Sequence, residues 1–70
     1  MRQHQDEDPQ LQAAEAVRAA CLATLQESYE EASIRGLCHE GAWEYALGAI
    51  RTLDLQSVLA QFRRERKQPQ

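Results

Sequence analysis

Apolar side chains recur at Leu11, Ala14, Val17, Cys21, Leu25, Tyr29 and Ala32, always three or four positions apart. At about 100° per residue that spacing lays one stripe along a helix, and Leu22 and Ile34 widen it. Asp8-Pro9 opens the segment. An aspartate at this point caps free amides, and proline suits the first helical position, where its missing N–H costs nothing. Gly36 closes the segment, as a glycine free to take positive φ commonly does. The pattern predicts a first helix from about Pro9 to Arg35.

A second stripe follows a short connection at Leu37–Glu40. Trp43, Ala46, Leu47, Ile50 and Leu53 share one face of a helix running from about His39 to Leu53, with Trp43 as its expected core anchor. Leu55, Val58, Leu59 and Phe62 centre about a third of a turn away from that face, so a third helix is expected from Asp54 to about Arg66, with Asp54 as its N-cap. No Gly or Pro separates the second and third segments, which leaves a single bent helix as the alternative. Gly41 and Gly48 fall inside the second helix at a cost of up to about 1 kcal/mol each. Close approach of the first helix is the expected reason for Gly41. Residues 1–7 and 67–70 read as disordered polar tails around a single helical domain at 8–66.

The expected class is all-α: a hairpin of two or three helices, long first and shorter second and third. Ala, Leu, Glu, Gln and Arg dominate, and these residues form helices well. Val and Ile are scarce and Thr occurs only at Thr24 and Thr52, which disfavours a sheet. A first helix about 40 Å long outruns a second of half that length. The third helix or a second chain must cover the remainder, so a bundle completed by homodimerisation is expected. Seventy residues also bury a modest core, for which a partner compensates.

The formal charge is −3. Residues 1–35 carry 3 basic and 7 acidic side chains and residues 36–70 carry 5 and 4, so the halves differ in sign. Helix-dipole complementation is the main reason offered, and antiparallel pairing of two chains is the other. The negative total disfavours nucleic acid as a partner. No apolar run is long enough to cross a membrane and residues 1–10 do not read as a secretory signal, so a cytoplasmic location with reduced Cys21 and Cys38 is expected.

Candidate chemistry is thin. Cys38-His39-Glu40 places a thiol, an imidazole and a carboxylate at a helix start, a setting that activates thiols. Neighbours in sequence point apart on a helix, however, so Cys38 stands as a possible reactive thiol and not as part of a catalytic set. Cys21 reads as a small apolar core residue. Cys21, Cys38, His39 and His4 do not form a metal-ligand pattern, and the glutamates lack the Glu-x-x-His partner of di-metal bundles. No catalytic, cofactor or metal site is expected. Tyr45 lies about 200° round from Trp43 and faces outward near Arg51 and Gly48, which makes Tyr45, Gly48 and Arg51 the expected partner-facing patch.

The stretch from Tyr29-Glu30-Glu31-Ala32 through Gly41-Ala42-Trp43-Glu44-Tyr45-Ala46-Leu47 to Leu53-Asp54-Leu55 resembles one tetratricopeptide repeat. In that family a small residue opens the second helix, an aromatic follows two places on and alanine five places on. Gly41, Trp43 and Ala46 match, and Ile50 takes the large apolar place. Ile34 and Val58 stand where the family has glycine and proline. Stable arrays need about three repeats, and there is room for one, so the resemblance implies a helical hairpin. The segment Gly36-Leu37-Cys38-His39-Glu40-Gly41-Ala42-Trp43-Glu44 is also similar to short uncharacterised bacterial proteins, some described as acetyltransferases. That description implies an acyl-coenzyme A fold around a central sheet, which seventy helical residues cannot build.

The expected function is therefore a non-enzymatic adaptor or regulator acting through an amphipathic helical surface on a protein partner. The alternatives are a structural subunit of a larger enzyme complex, or a thiol-dependent enzyme or redox sensor using Cys38.

Overall fold

The computed structural model describes residues 8–67. Of the expected tails at 1–7 and 67–70, residues 1–7 and 68–70 lie outside the described residues, and Lys67 is helical. Three helices account for nearly all of the rest: α1 at Pro9–Ile34, α2 at His39–Arg51 and α3 at Leu55–Lys67. No strand occurs among the described residues, so the fold is all-α with three helices.

Each helix starts on a side chain that accepts hydrogen bonds from otherwise unpaired amides. Asp8 Oδ1 accepts from the N–H groups of Gln10 at 3.0 Å and Leu11 at 3.3 Å. Cys38 has extended backbone angles, and its Sγ accepts from the N–H of Gly41 at 3.4 Å. Asp54 Oδ1 accepts from the N–H of Ser57 at 3.2 Å, while Oδ2 accepts from the Ser57 hydroxyl at 2.8 Å. These contacts satisfy donors that the helical ladder leaves free.

The helix ends are equally specific. Gly36 takes φ +98°, the N–H of Leu37 donates to the Ala32 carbonyl, and the N–H of Gly36 donates to the Ser33 carbonyl, both at 3.0 Å. This pair of crossed bonds is the Schellman arrangement, which needs a left-handed residue and so favours glycine. α2 ends at Thr52, whose hydroxyl and N–H both donate to the Gly48 carbonyl at 3.1 Å. The chain then leaves helical geometry at Leu53 and Asp54, so α2 and α3 are separate helices and not one bent rod.

The described chain forms two compact units. In one, residues 20–53 pair the C-terminal half of α1 with α2. In the other, α1 up to Ala19 pairs with the segment from Asp54 onward, which contains α3. α2 and α3 have 13 residues each against 26 in α1. The two short helices together therefore have as many residues as the long one.

The buried side chains are few and small. Among the described residues only Ala32, Ala42 and Ala46 are fully buried, all in the 20–53 unit. Along the expected α1 stripe, Leu11, Val17, Cys21, Leu25 and Tyr29 are half-buried, whereas Ala14 is exposed. Leu22 and Ile34 do not widen a buried stripe, since both are exposed. Trp43 is not a core anchor either: it is 45% exposed, and the buried positions of α2 are taken by the small side chains of Ala42 and Ala46.

Gly41 in α2 also differs from expectation. A Cβ on Gly41 would meet Cys38 Sγ and Leu37 at ordinary van der Waals distance, so its neighbour is the connection and not α1. A Cβ on Gly48 would meet nothing within 4 Å.

Candidate functional site

The Cys38-His39-Glu40 start of α2 follows from local capping chemistry. The Cys38 thiol, being the N-cap acceptor, is exposed. The His39 ring turns away toward α1: its Nδ1 is hydrogen-bonded to the Tyr29 hydroxyl at 2.5 Å, with the two rings edge-to-face at 78° and 5.7 Å between centroids. Cys38 and Cys21 are both free thiols, and Cys21 is half-buried on α1. No cluster of His, Cys, Asp or Glu able to hold a metal ion occurs among the described residues.

The short connection after Gly36 makes α1 and α2 antiparallel neighbours within their unit. The buried alanines define the direction in which each helix faces the other. From Ala32, Tyr29 and Leu22 lie roughly 60–80° round α1 in one sense, and Arg35 lies roughly 60° round in the other. From Ala42 and Ala46, His39 and Trp43 lie roughly 40–80° round α2, and Tyr45 lies roughly 80° round in the other sense. Two observed contacts fix which sides correspond. Tyr29 touches His39, and the Arg35 guanidinium stands over the Tyr45 ring, 6.0 Å from its centroid. The hairpin therefore has two margins: one carries Leu22, Tyr29, His39 and Trp43, and the other carries Arg35 and Tyr45.

Exposure distinguishes the margins from the seam between them. Leu22 is 54% exposed and Trp43 45% on one margin, while Tyr45 is 39% exposed on the other. Arg35 is held by Glu31 at 2.9 Å, so its stacking on Tyr45 is part of a Glu31–Arg35–Tyr45 chain. Of the expected patch, Tyr45 and Arg51 are exposed and Gly48 is half-buried. The arginine that meets Tyr45 is Arg35 and not Arg51.

Sequence reading missed the Leu22–Trp43 margin. It assigned Trp43 to the core from the apolar face it shares with Ala46, Leu47, Ile50 and Leu53. The available signal was the run Ala42, Ala46 and Ala49, whose small side chains mark a close helix contact more directly than a tryptophan does. Tyr29 and His39, ten positions apart, carried no sequence signal of their contact.

In the second unit, Pro9, Ala13, Leu59 and Phe62 line a hollow of about 240 Å³ edged by Arg63 and Arg66. The Arg66 guanidinium lies 5.7 Å from the Phe62 ring centroid. The hollow is apolar at its base and basic at its edge, without a nucleophile or acid among its lining residues. No helix among the described residues is long and apolar enough to cross a membrane. No family model matches the chain, and no match is found among curated proteins or solved structures.

Proposed function

We propose that the chain is a non-enzymatic protein-interaction module, an adaptor or regulator whose large apolar side chains complete their burial on a partner protein. One observation carries this reading: among the described residues the fully buried set is three alanines, while Leu22, Ile34, Leu37, Trp43, Tyr45 and Leu55 are 39–82% exposed. Covering the exposed part of Trp43 alone is worth roughly 2–3 kcal/mol of apolar burial. Aromatic side chains placed this way are typical anchors at protein interfaces. The engagement of His39 by Tyr29 supports a non-catalytic reading of Cys38, because it directs the nearest base elsewhere.

The partner is a second copy of the chain or another protein, and Tyr45 and Arg51 lie near the contact surface. Size-exclusion chromatography with light scattering, together with crosslinking in a lysate, tests the reading. The expected result is a complex that is lost when Leu22 and Trp43, or Tyr45, are replaced by Ser while far-UV circular dichroism still shows a helical protein. A chain that remains monomeric and crosslinks to the same proteins with and without these substitutions overturns it.

A further inference from the structure

We infer that the hollow between the first turns of α1 and the last turns of α3 is a binding site for a small amphipathic carboxylate, one that carries an aryl or medium-length alkyl group. The inference stands on the second unit alone and goes beyond the interaction reading. Pro9 and Ala13 of α1 and Leu59 and Phe62 of α3 surround a space of about 240 Å³. An apolar cavity of about 150 Å³ takes a benzene ring, so this space has room for an apolar group of about eight carbons. Ala13, Leu59 and Phe62 are half-buried, and an apolar tail laid against them removes more of their surface from water.

Charge at the edge selects the head group. Arg63 and Arg66 themselves line the hollow. On α3 they lie on either side of Leu59, about 40° and about 20° round the helix. The Arg66 guanidinium lies 5.7 Å from the Phe62 ring centroid, a stacking that leaves the donors along its edge available. Among the described residues neither arginine is in an ion pair. No acid competes from the same face. Glu65, the one acid of α3, lies about 110° from the centre of that face, and its Oε2 accepts from Gln61 Nε2 at 3.3 Å. On α1, Glu15 lies about 200° round from Ala13 and faces Arg18. Asp8 Oδ1 is occupied by the N–H groups of Gln10 and Leu11. Two guanidinium groups beside an apolar floor favour a carboxylate, which arginine holds with two parallel hydrogen bonds. A cationic or neutral head on the same tail makes no such contact.

Octanoate, octyltrimethylammonium and 1-octanol share a tail and differ in the head, so they are the probes for a nitrogen-15 NMR titration of the full chain at neutral pH. Octanoate is expected to bind saturably at 1:1, with amide shifts concentrated at residues 9–13 and 59–66. 1-Octanol should bind at least about tenfold more weakly and the cation not at all, since charge-assisted hydrogen bonds are the stronger kind. Arg63→Gln with Arg66→Gln should weaken octanoate at least about tenfold and leave 1-octanol unchanged. Ala13→Leu fills the hollow and should weaken both, with circular dichroism verifying that each variant is helical. Equal binding of the three probes, octanoate binding that ignores the two arginines, or shifts centred on Trp43 overturns the proposal, as does the absence of octanoate binding. Two other occupants are tested on the same samples. Octanoate binding that emerges only in Asp6→Asn with Glu7→Gln assigns the hollow to the chain's own N-terminal acids and overturns the proposal, whereas unchanged binding supports it. Light scattering that shows octanoate splitting a dimer assigns the hollow to a second copy and overturns it as well.

Discussion

Single residues set where these helices begin and end, and several of them make measurable predictions. Gly36 is the one described glycine with positive φ, so Gly36→Ala forces a side chain into a left-handed conformation and should destabilise the hairpin by about 1–2 kcal/mol, as read by urea denaturation. Gly48 is the opposite case. It is helical, and an added Cβ meets open space, so Gly48→Ala should stabilise the protein by roughly 0.5–1 kcal/mol in the same measurement. Asp54 links capping to pH. The Ser57 hydroxyl, and then the Ser57 N–H, hold its carboxyl below the ordinary carboxylate range, against the slight opposing effect of desolvation. A carboxyl whose folded pKa is depressed stabilises the fold above its unfolded pKa and loses that contribution as pH falls through the folded value. Helicity should therefore decline as pH drops below about 4. Asp54→Asn keeps an acceptor oxygen without the titration, so that variant should show a flatter circular dichroism profile between pH 5 and 2.

The helices themselves were largely legible in the chain. Asp8-Pro9, Gly36 and Asp54 are local signals whose chemistry acts within four residues, and the three helices lie within two residues of the expected ends. The phase change between Ile50 and Leu55 correctly separated α2 from α3, although neither Gly nor Pro marks the break. Side-chain placement was less legible, because it depends on which residues meet across helices. Trp43 looked like the anchor of α2, yet Ala42 and Ala46 take the buried positions. Gly41 looked like a contact with α1, yet its neighbours are Leu37 and Cys38. The Arg35–Tyr45 and Tyr29–His39 contacts join residues ten apart, beyond the reach of any local pattern. The pairing of α3 with the N-terminal half of α1 gives a further test. A chain ending at Leu53 should lose more helical signal than the 13 residues of α3 contribute, because residues 9–19 of α1 lose the helix that shares their unit.

For the whole molecule, the sparse interior bears on stability. A short chain whose described residues include three small buried side chains has little apolar burial to set against the entropy of ordering its backbone. Partner binding to the folded state then raises apparent stability by mass action. Melting temperature should accordingly rise with concentration if the chain pairs with itself, and rise only on adding the partner if it does not. Differential scanning fluorimetry across a hundredfold range of protein concentration distinguishes these outcomes.

The alanine seam between α1 and α2 has one more implication. Ala32, Ala42 and Ala46 present a single methyl each, and their packing sets how near the two backbones lie. Leu22, Trp43 and Tyr45 stand outside that seam and contribute little to it. Folding and recognition thus fall to different sets of side chains, so the outer positions are free to be exchanged for a new binding preference on an unchanged frame.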